Sequence, residues 1–195
     1  MPRTSSKKRH ADLADDSPRH VALLRGVNVG GKNLLPMAEL SRLFVDQGCD
    51  DVRTYIQSGN VLFRADAPTR ARLAESLPAA IRRRFGLDVP VILRSRAEFE
   101  GAVAANPFVA AGADPATLYV GFLGMHPTAA KVSTLDAGRS PPDAFRVIGR
   151  EIHLRLPDGI AKTKLTNAYF DRVLATTSTF RGWRTVLELC RRLAE

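Results

Sequence analysis

The sequence is poor in cysteine, in long apolar runs and in lysine, and the first two shortages exclude whole classes of protein. Two cysteines in 195 residues, without C-x-x-C spacing, provide no disulfide framework and no redox motif. No apolar run approaches the roughly 20 residues of a membrane span, and the N-terminus lacks the apolar middle section of a signal peptide. The four histidines show no metal-ligand spacing. We therefore predict a cytoplasmic protein with no membrane contact, no metal site and no cofactor.

What the sequence does have is an excess of positive charge. The formal net charge is +9, and because residues 1–19 carry five basic against three acidic side chains, the rest of the chain still carries +7. A field of this sign favours anionic partners such as phosphate esters and nucleic acid. Only 6 of the 29 basic residues are lysines, and three of them, Lys32, Lys162 and Lys164, lie in predicted loops. The competing interpretation is an ordinary basic protein without such a partner.

Four segments are predicted along the chain. Residues 1–19 are polar and charged, so they cannot offset their ordering entropy by burial, and we predict a disordered tail. Residues 20–95 form the first folded half and residues 117–195 form the second, with a C-terminal helix. Between them, residues 96–116 are predicted to form a connecting helix and a loop.

The pattern of the first half predicts the order β-α-β-β-α-β. His20–Val27 is an apolar run typical of a buried strand, and Pro36 suits the first position of the helix that follows. A hairpin is predicted to turn at Ser58-Gly59-Asn60, because a Gly-Asn pair is a turn signal. Pro78 is expected to kink or split the second helix. In such a unit both helices cover one face of an antiparallel sheet, which is the ferredoxin-like arrangement.

The second half repeats this order without detectable sequence identity. Its last strand is predicted around Ala175–Ser178, and a final helix carries Trp183 on its apolar face. The predicted fold class is therefore α+β, with two ferredoxin-like halves, a connecting helix and a C-terminal helix. A site between the two halves is a further expectation.

The segment Leu23–Asn33, LLRGVNVGGKN, is the strongest functional signal in the sequence. It fits the phosphate-binding pattern G-x-x-x-x-G-K but has Asn33 where a hydroxyl residue is required, and Pro36 places the helix start too late for that motif. What remains is an anion site in which backbone N–H groups of Asn28 to Lys32 converge on a ligand and Arg25 adds charge. A glycine-rich turn with solvated side chains is the alternative.

Three other segments are candidate companions of this loop. GIAKTKLT contains Lys162 and Lys164 before a predicted helix, and TTSTFRGW places four hydroxyls and Arg181 near a predicted helix start. The QSGN turn is the third. For each of them a purely structural role is the competing interpretation. The candidate ligand-binding residues are Arg25, Asn28, Gly30, Gly31, Lys32, Asn33, Ser58, Gly59, Asn60, Lys162, Lys164, Arg181 and Trp183.

Three stretches, LRGVNVGGKNLLPMAEL, DVRTYIQSGNVLF and RGWRTV, together resemble an uncharacterised bacterial family, domain of unknown function 1697. The resemblance spans essentially residues 20–190 in the right order and implies two ferredoxin-like halves without an established activity. The family usually shows Arg-Asn-Trp where this chain has Arg181-Gly182-Trp183, so any role of that asparagine side chain is lost here.

Three functions are compatible with these observations. The first is binding of an unspecified anionic, phosphate-bearing ligand or nucleic acid through the glycine loop and the basic loops. The second is an enzyme acting on a small phosphorylated or carboxylated metabolite in a cleft between the halves. The third is a protein-interaction module, which exposed apolar patches would support. The sequence alone assigns neither a catalytic residue nor an oligomeric state.

Overall fold

A computed structural model of the protein describes residues 18–195. The chain divides into two compact units, of which the first ends at Arg96 and the second is Ala97–Glu195. Each unit contains one four-stranded antiparallel sheet. No helix among residues 18–195 is both long enough and apolar enough to cross a bilayer.

Unit 1 follows the predicted β-α-β-β-α-β order. Its elements are β1 (Arg19–Leu24), α1 (Met37–Asp46), β2 (Asp50–Tyr55), β3 (Asn60–Arg64), α2 (Ala67–Phe85) and β4 (Val91–Ser95). The strands lie in the order β2-β3-β1-β4, and each neighbouring pair is antiparallel. This order and these orientations are those of a ferredoxin-like unit.

The core of unit 1 explains why both helices lie against the sheet. Alternate residues of β1 and β3 face the helices, because successive side chains of a strand point to opposite faces. The apolar stripes of α1 and α2 pack on them, and burial of each such side chain contributes roughly 1.5–3 kcal/mol. The core contains Ala22, Leu24, Val61 and Phe63 from the strands, Leu40 and Phe44 from α1, and Leu73, Leu77 and Ile81 from α2.

Three connections of unit 1 meet at one end of its sheet. In the antiparallel register, β1 and β2 finish where β3 and β4 begin. The connections at this end are residues 25–36, 56–59 and 86–90. We call these three segments, together with the last two turns of α2 that lead into residues 86–90, the loop end of unit 1.

Unit 2 has the same order after the connecting helices. Its elements are α3 (Arg96–Ala104, which starts at the unit boundary), α4 (Pro107–Ala110), β5 (Leu118–Leu123), α5 (Ala129–Ser133), β6 (Ala144–Ile148), β7 (Glu151–Arg155), α6 (Asn167–Leu174), β8 (Ser178–Gly182) and α7 (Trp183–Ala194). The sheet order β6-β7-β5-β8 matches that of unit 1 strand for strand. Phe170 of α6 belongs to one core cluster with Leu154 and Ile152 of β7, and Phe99 of α3 stacks on Phe122 of β5 at 5.1 Å between ring centroids.

The predicted fold class is confirmed, but several element boundaries are wrong. β1 begins at Arg19, inside the predicted tail, while residues 1–17 of that tail lie outside the described part. The second strand of the hairpin was predicted as NVLFR, and β3 has these bounds, with Asn60 paired to Leu23 of β1. Helix α2 runs through Pro78 without being split, since its neighbours Leu77 and Ile81 are anchored in the core.

The last strand is also misplaced in the prediction. It was expected around Ala175–Ser178, whereas β8 is Ser178–Gly182. Ala175 has a left-handed backbone, with φ of +51°, and ends α6. The chain therefore needs two more residues before it can enter the sheet.

Candidate functional site

The glycine loop, which is the connection of residues 25–36 between β1 and α1, contains a small β-hairpin. Val29 and Lys32 form an isolated antiparallel bridge, and the Lys32 N–H donates to the Val29 carbonyl at 3.0 Å. Between them, Gly30 and Gly31 have φ of +58° and +72°. Positive φ at both central residues is what a two-residue type I′ turn requires, and glycine adopts it without steric cost. We call residues 28–33 the glycine hairpin.

Asn28 fixes the base of the glycine hairpin. Its side-chain amide donates to the carbonyls of Leu35 and Gln57, both at 2.9 Å, and its Oδ1 accepts from the Leu35 N–H at 2.8 Å. Its φ of +54° is left-handed, a conformation that asparagine tolerates better than most residues. The side chain of Asn28 is thus used to connect two loops and to close the hairpin, so its predicted contact with a ligand is replaced by a structural role.

The hairpin uses part of the predicted amide site for its own closure. The N–H of Asn28 donates to the Asn33 carbonyl at 3.1 Å, and the N–H of Lys32 is bonded to Val29. The Asn33 side chain donates to the Gly26 carbonyl at 2.9 Å. Among residues 18–195, the amides of Gly30 and Gly31 have no such partner. The amides of Asn28 and Lys32 are therefore engaged within the hairpin, and an anion contact stays a prediction for the amides at the hairpin tip.

The 56–59 turn lies directly against the glycine loop. The Leu24 N–H donates to the Gly59 carbonyl at 2.8 Å, and a Cβ added to Gly59 would lie 2.6 Å from Val27 Cγ2. Asn60 is fully buried, and its amide donates to Ser58 Oγ at 3.0 Å and to the Tyr55 carbonyl at 3.2 Å. Ser58, Gly59 and Asn60 are thus brought beside the glycine loop, as expected, but Gly59 and Asn60 are too buried to touch a ligand.

The 86–90 connection adds a third wall to the loop end. The Arg25 N–H donates to the Pro90 carbonyl at 3.0 Å. Next to it, a groove of about 530 Å³ is lined by Pro78, Ala79, Arg82, Arg83, Asp88, Val89 and Pro90. The sequence prediction missed this groove, although the Arg82-Arg83-Arg84 run at the end of α2 was a visible signal.

Ion pairs distinguish the three arginines of that run. Arg82 pairs with Asp88, and Arg84 pairs with Glu39 of α1. Arg83 is exposed and has no ion pair within residues 18–195. Lys32 at the hairpin is likewise exposed and without an ion pair in the described part. The loop end of unit 1 therefore presents two cationic side chains that no carboxylate of residues 18–195 neutralises.

Three large aliphatic side chains are also exposed at the loop end. Val29 is 61% exposed, Leu34 68% and Ile56 49%. Single exposed aliphatic residues are normal on a protein surface, but these three lie on two loops that are hydrogen-bonded to each other. The hairpin and its neighbouring turn therefore combine positive charge with apolar surface.

The two lysines of unit 2 lie in the connection after β7. The Leu156 N–H donates to the Thr117 carbonyl, which places the start of this connection at the sheet end where β5 begins. The Lys164 N–H donates to Ser140 Oγ at 3.0 Å, and its carbonyl accepts from Arg139 Nε at 3.0 Å. Both lysine side chains are exposed, so Lys162 and Lys164 are available to an anion, while their backbone is held by the neighbouring loop.

Arg181 and Trp183, both candidate ligand-binding residues, are buried. Arg181 lies within β8, opposite Val120, and its Nη1 donates to Thr179 Oγ1 at 2.9 Å and to the Phe180 carbonyl at 2.8 Å. Burial lowers the pKa of Arg181 to about 10, so it stays charged at neutral pH. Trp183 is the first residue of α7 and is 5% exposed. Arg181 was predicted before a helix start because β8 was placed too early, whereas Trp183 lies on the C-terminal helix as predicted. Neither is a surface residue.

The remaining titratable groups show no metal-site geometry. No group of three His, Cys, Asp or Glu side chains in the described part could hold a metal ion. His153 of β7 is fully buried, and neither of its ring nitrogens has a hydrogen-bond partner within residues 18–195. Burial lowers the pKa of His153 to about 4, so the ring is neutral at pH 7.

Comparison with known proteins places this geometry in a family. The chain is similar to the conserved bacterial protein SP0830 from Streptococcus pneumoniae, with 25% sequence identity and a TM-score of 0.66 over 90% of this chain and 98% of that one. A comparison with functionally curated proteins finds no match. The model of the family described as protein of unknown function (DUF1697) matches residues 18–153, which include the glycine loop and the 56–59 turn. The predicted resemblance is thereby confirmed, and the chain belongs to the DUF1697 family.

Proposed function

We propose that the protein binds nucleic acid, and that the loop end of unit 1 provides the contact surface. The observation that supports this most strongly is the pairing pattern of the cations. Lys32 and Arg83 are exposed and lack a carboxylate partner in the described part, although the neighbouring Arg82 and Arg84 each have one. Unneutralised cations on rigid, exposed backbone are the groups that contact phosphates in nucleic-acid complexes.

The rigidity of the glycine hairpin supports the same proposal. Asn28 links the hairpin to Leu35 and Gln57, so Lys32 is held on a fixed support rather than on a free loop. A fixed lysine loses less conformational entropy on binding than one on a mobile segment. The exposed amides of Gly30 and Gly31 would add two further donors for a phosphate oxygen.

The open shape of the hairpin argues against a small metabolite as its ligand. Val29, Gly30, Gly31, Lys32 and Leu34 are all exposed. A site for a small ligand usually buries most of that ligand in a concave pocket. An extended polyanion needs no such enclosure, because its affinity is the sum of contacts along the chain.

The proposal is tested by the salt dependence of binding. Fluorescence anisotropy with a labelled oligonucleotide should show affinity falling with log salt, with a slope of roughly −0.7 to −0.9 per phosphate contact. Lys32→Ala should make this slope shallower by about 1, because one phosphate contact is lost. The control is Lys131→Ala on α5 of unit 2, which removes the same exposed charge and should leave the slope unchanged. Absence of binding at low salt, or a salt-independent affinity, would contradict the proposal.

A protein partner is the second candidate, and the exposed apolar side chains favour it. Val29, Leu34 and Ile56 would be buried against such a partner, and each would then contribute by leaving water. A photo-crosslinking amino acid at position 34 in cells separates the two functions. Adducts with nucleic acid support the first candidate, and adducts with a single protein species support the second.

A further inference from the structure

We propose that the groove on α2 is a subsite for an unstacked nucleobase, and hence that the nucleic acid is single-stranded. This inference rests on the proposed function, because it names the class of nucleic acid that the same loop end takes. The groove belongs entirely to unit 1, between the last two turns of α2 and the 86–90 connection. Its position and its chemistry support the inference separately.

The walls of the groove suit a flat ring with polar edges. Pro78, Ala79, Val89 and Pro90 supply apolar surface, and Arg82, Arg83 and Asp88 supply polar groups. Its volume of about 530 Å³ lies within the range of ligand pockets, roughly 300–1,000 Å³. Flipped or unstacked bases are held in this way, by apolar side chains on their faces and hydrogen bonds at their edges.

Arg83 is the residue that favours a nucleobase over a purely apolar ligand in this groove. Basic residues at a helix C-terminus are favoured by the helix dipole, so the presence of three arginines there needs no ligand. The dipole does not explain the cavity beside them, nor why Arg83 alone lacks a carboxylate among the described residues. A guanidinium at a groove wall can stack on a base or donate to its edge acceptors.

One wall of the groove is hydrogen-bonded to the glycine loop. The hydrogen bond from the Arg25 N–H to the Pro90 carbonyl joins the first residue of the loop to the groove wall. A strand whose phosphates contact the loop can therefore extend toward the groove. In a duplex the bases are paired and stacked inside, and extruding one costs unpairing and unstacking energy, so a single strand places a base there at the lower cost.

Three probes of similar length test the inference with the full chain. They are a single-stranded oligonucleotide of mixed sequence, the duplex of that sequence, and inorganic polyphosphate, which has charge but no base. Anisotropy and competition should give the single strand an affinity at least about tenfold above the other two, which corresponds to one extra stacked base. Polyphosphate then reports the phosphate contacts alone.

Ala79→Leu fills the groove without changing charge, and Arg83→Ala removes the guanidinium. Ala79→Leu should lower single-strand affinity about tenfold and leave polyphosphate affinity unchanged. The control Ala74→Leu adds the same atoms to an exposed position of α2 outside the groove and should change neither. Arg83→Ala should weaken single-strand binding more than polyphosphate binding.

Equal affinities for the single strand and for polyphosphate, or an equal loss for both in Ala79→Leu, would overturn the base subsite while leaving the proposed function intact. No binding of any probe at low salt would overturn both. Circular dichroism of each variant shows whether the fold is retained, and Arg83→Ala, at an exposed site, keeps the test available if Ala79→Leu does not fold.

Discussion

Units 1 and 2 share the same order of strands and helices, but the loops that connect these elements differ. In unit 1, the Leu24 N–H bonds the Gly59 carbonyl and the Arg25 N–H bonds the Pro90 carbonyl. In unit 2, the same two positions make the same bonds, from Leu123 to Arg150 and from Gly124 to Thr177. The connection after the first strand, however, has twelve residues in unit 1 and five in unit 2.

The difference in length shows which loop residues the fold needs and which are available for binding. The shared hydrogen bonds hold the loops at the same end of the sheet in both units. A connection of five residues is therefore long enough for this fold. The longer connection of unit 1 includes the glycine hairpin, which contributes exposed groups such as Val29 and Lys32 rather than core, and the adjoining Leu34 is exposed as well. Unit 2 has its own long connection, residues 156–166, at the other end of its sheet. Function is therefore expected in the insertions, since loops on a rigid scaffold are where binding residues concentrate.

The largest expected effect concerns the contact between the 56–59 turn and the glycine loop. Gly59→Ala would place a Cβ 2.6 Å from Val27 Cγ2 and 2.7 Å from Leu24 Cβ, at a φ of +73°. Overpacking and backbone strain together should cost about 3 kcal/mol of unfolding free energy. Gly30→Ala is the control, because its φ is +58° but no atom lies within 4 Å, and it should cost about 1 kcal/mol. Chemical denaturation measures both, and equal losses would show that packing at Gly59 is unimportant.

The second largest effect concerns the pH dependence of stability at one equivalent position of the two sheets. His153 pairs with Val120 of β5, and Leu62 occupies the same place beside Val21 of β1. The pKa of His153 is lowered by burial from 6.5 to about 4, so the unfolded chain binds a proton first as the pH falls. The contribution of the neutral ring is thus complete above about pH 6.5 and is lost as the pH falls toward 4.

His153→Leu should therefore make unit 2 resemble unit 1 in its acid response. Between pH 7 and about pH 4.5, the free energy of unfolding of the native chain should fall by about 2 kcal/mol more than that of His153→Leu. Denaturant titrations at the two pH values measure this difference. The reciprocal Leu62→His should introduce a similar acid sensitivity into unit 1. A constant gap between His153→Leu and the native chain would contradict the burial of a neutral ring.

The smallest effect compares the N-caps of the equivalent helices α2 and α6. Asp66 accepts from the Thr69 N–H at 2.8 Å, and Thr166 accepts from the Tyr169 N–H at 3.2 Å. Hydrogen bonds from Thr69 lower the pKa of Asp66, so its charged form stabilises α2 above the unfolded pKa, and this stabilisation disappears as the pH falls through the folded pKa. Thr166→Ala should cost about 1 kcal/mol at every pH. The cost of Asp66→Asn should shrink in acid, and a pH-independent cost would argue against a charged cap.

Most of the strands and helices could be predicted from the sequence because they follow from local patterns. Alternating or continuous apolar runs gave the strands, and apolar stripes such as Leu40 with Phe44 gave the helices. The prediction failed where a tertiary contact decides. β8 starts at Ser178 because it pairs with β5 from there, and α2 is not split at Pro78 because the core holds both of its halves.

The site was less predictable for a related reason. Glycines and a lysine identified the loop, but whether its amides point at a ligand or at each other depends on the Val29 to Lys32 bridge. The sequence could not show that Arg181 is buried, because β8 is defined only by its pairing with β5. It also could not show the groove beside Arg83, which forms only when α2 and the 86–90 connection meet.

Amide hydrogen exchange with and without a single-stranded oligonucleotide tests the central claim most directly, because it reports both units at once. At an oligonucleotide concentration that saturates the anisotropy signal, exchange should slow at residues 25–36 and 56–59 of unit 1. It should stay unchanged at residues 124–128, which occupy the equivalent position in unit 2. Protection confined to unit 2, or unchanged exchange at 25–36 in the saturated complex, would contradict a binding surface at the loop end of unit 1.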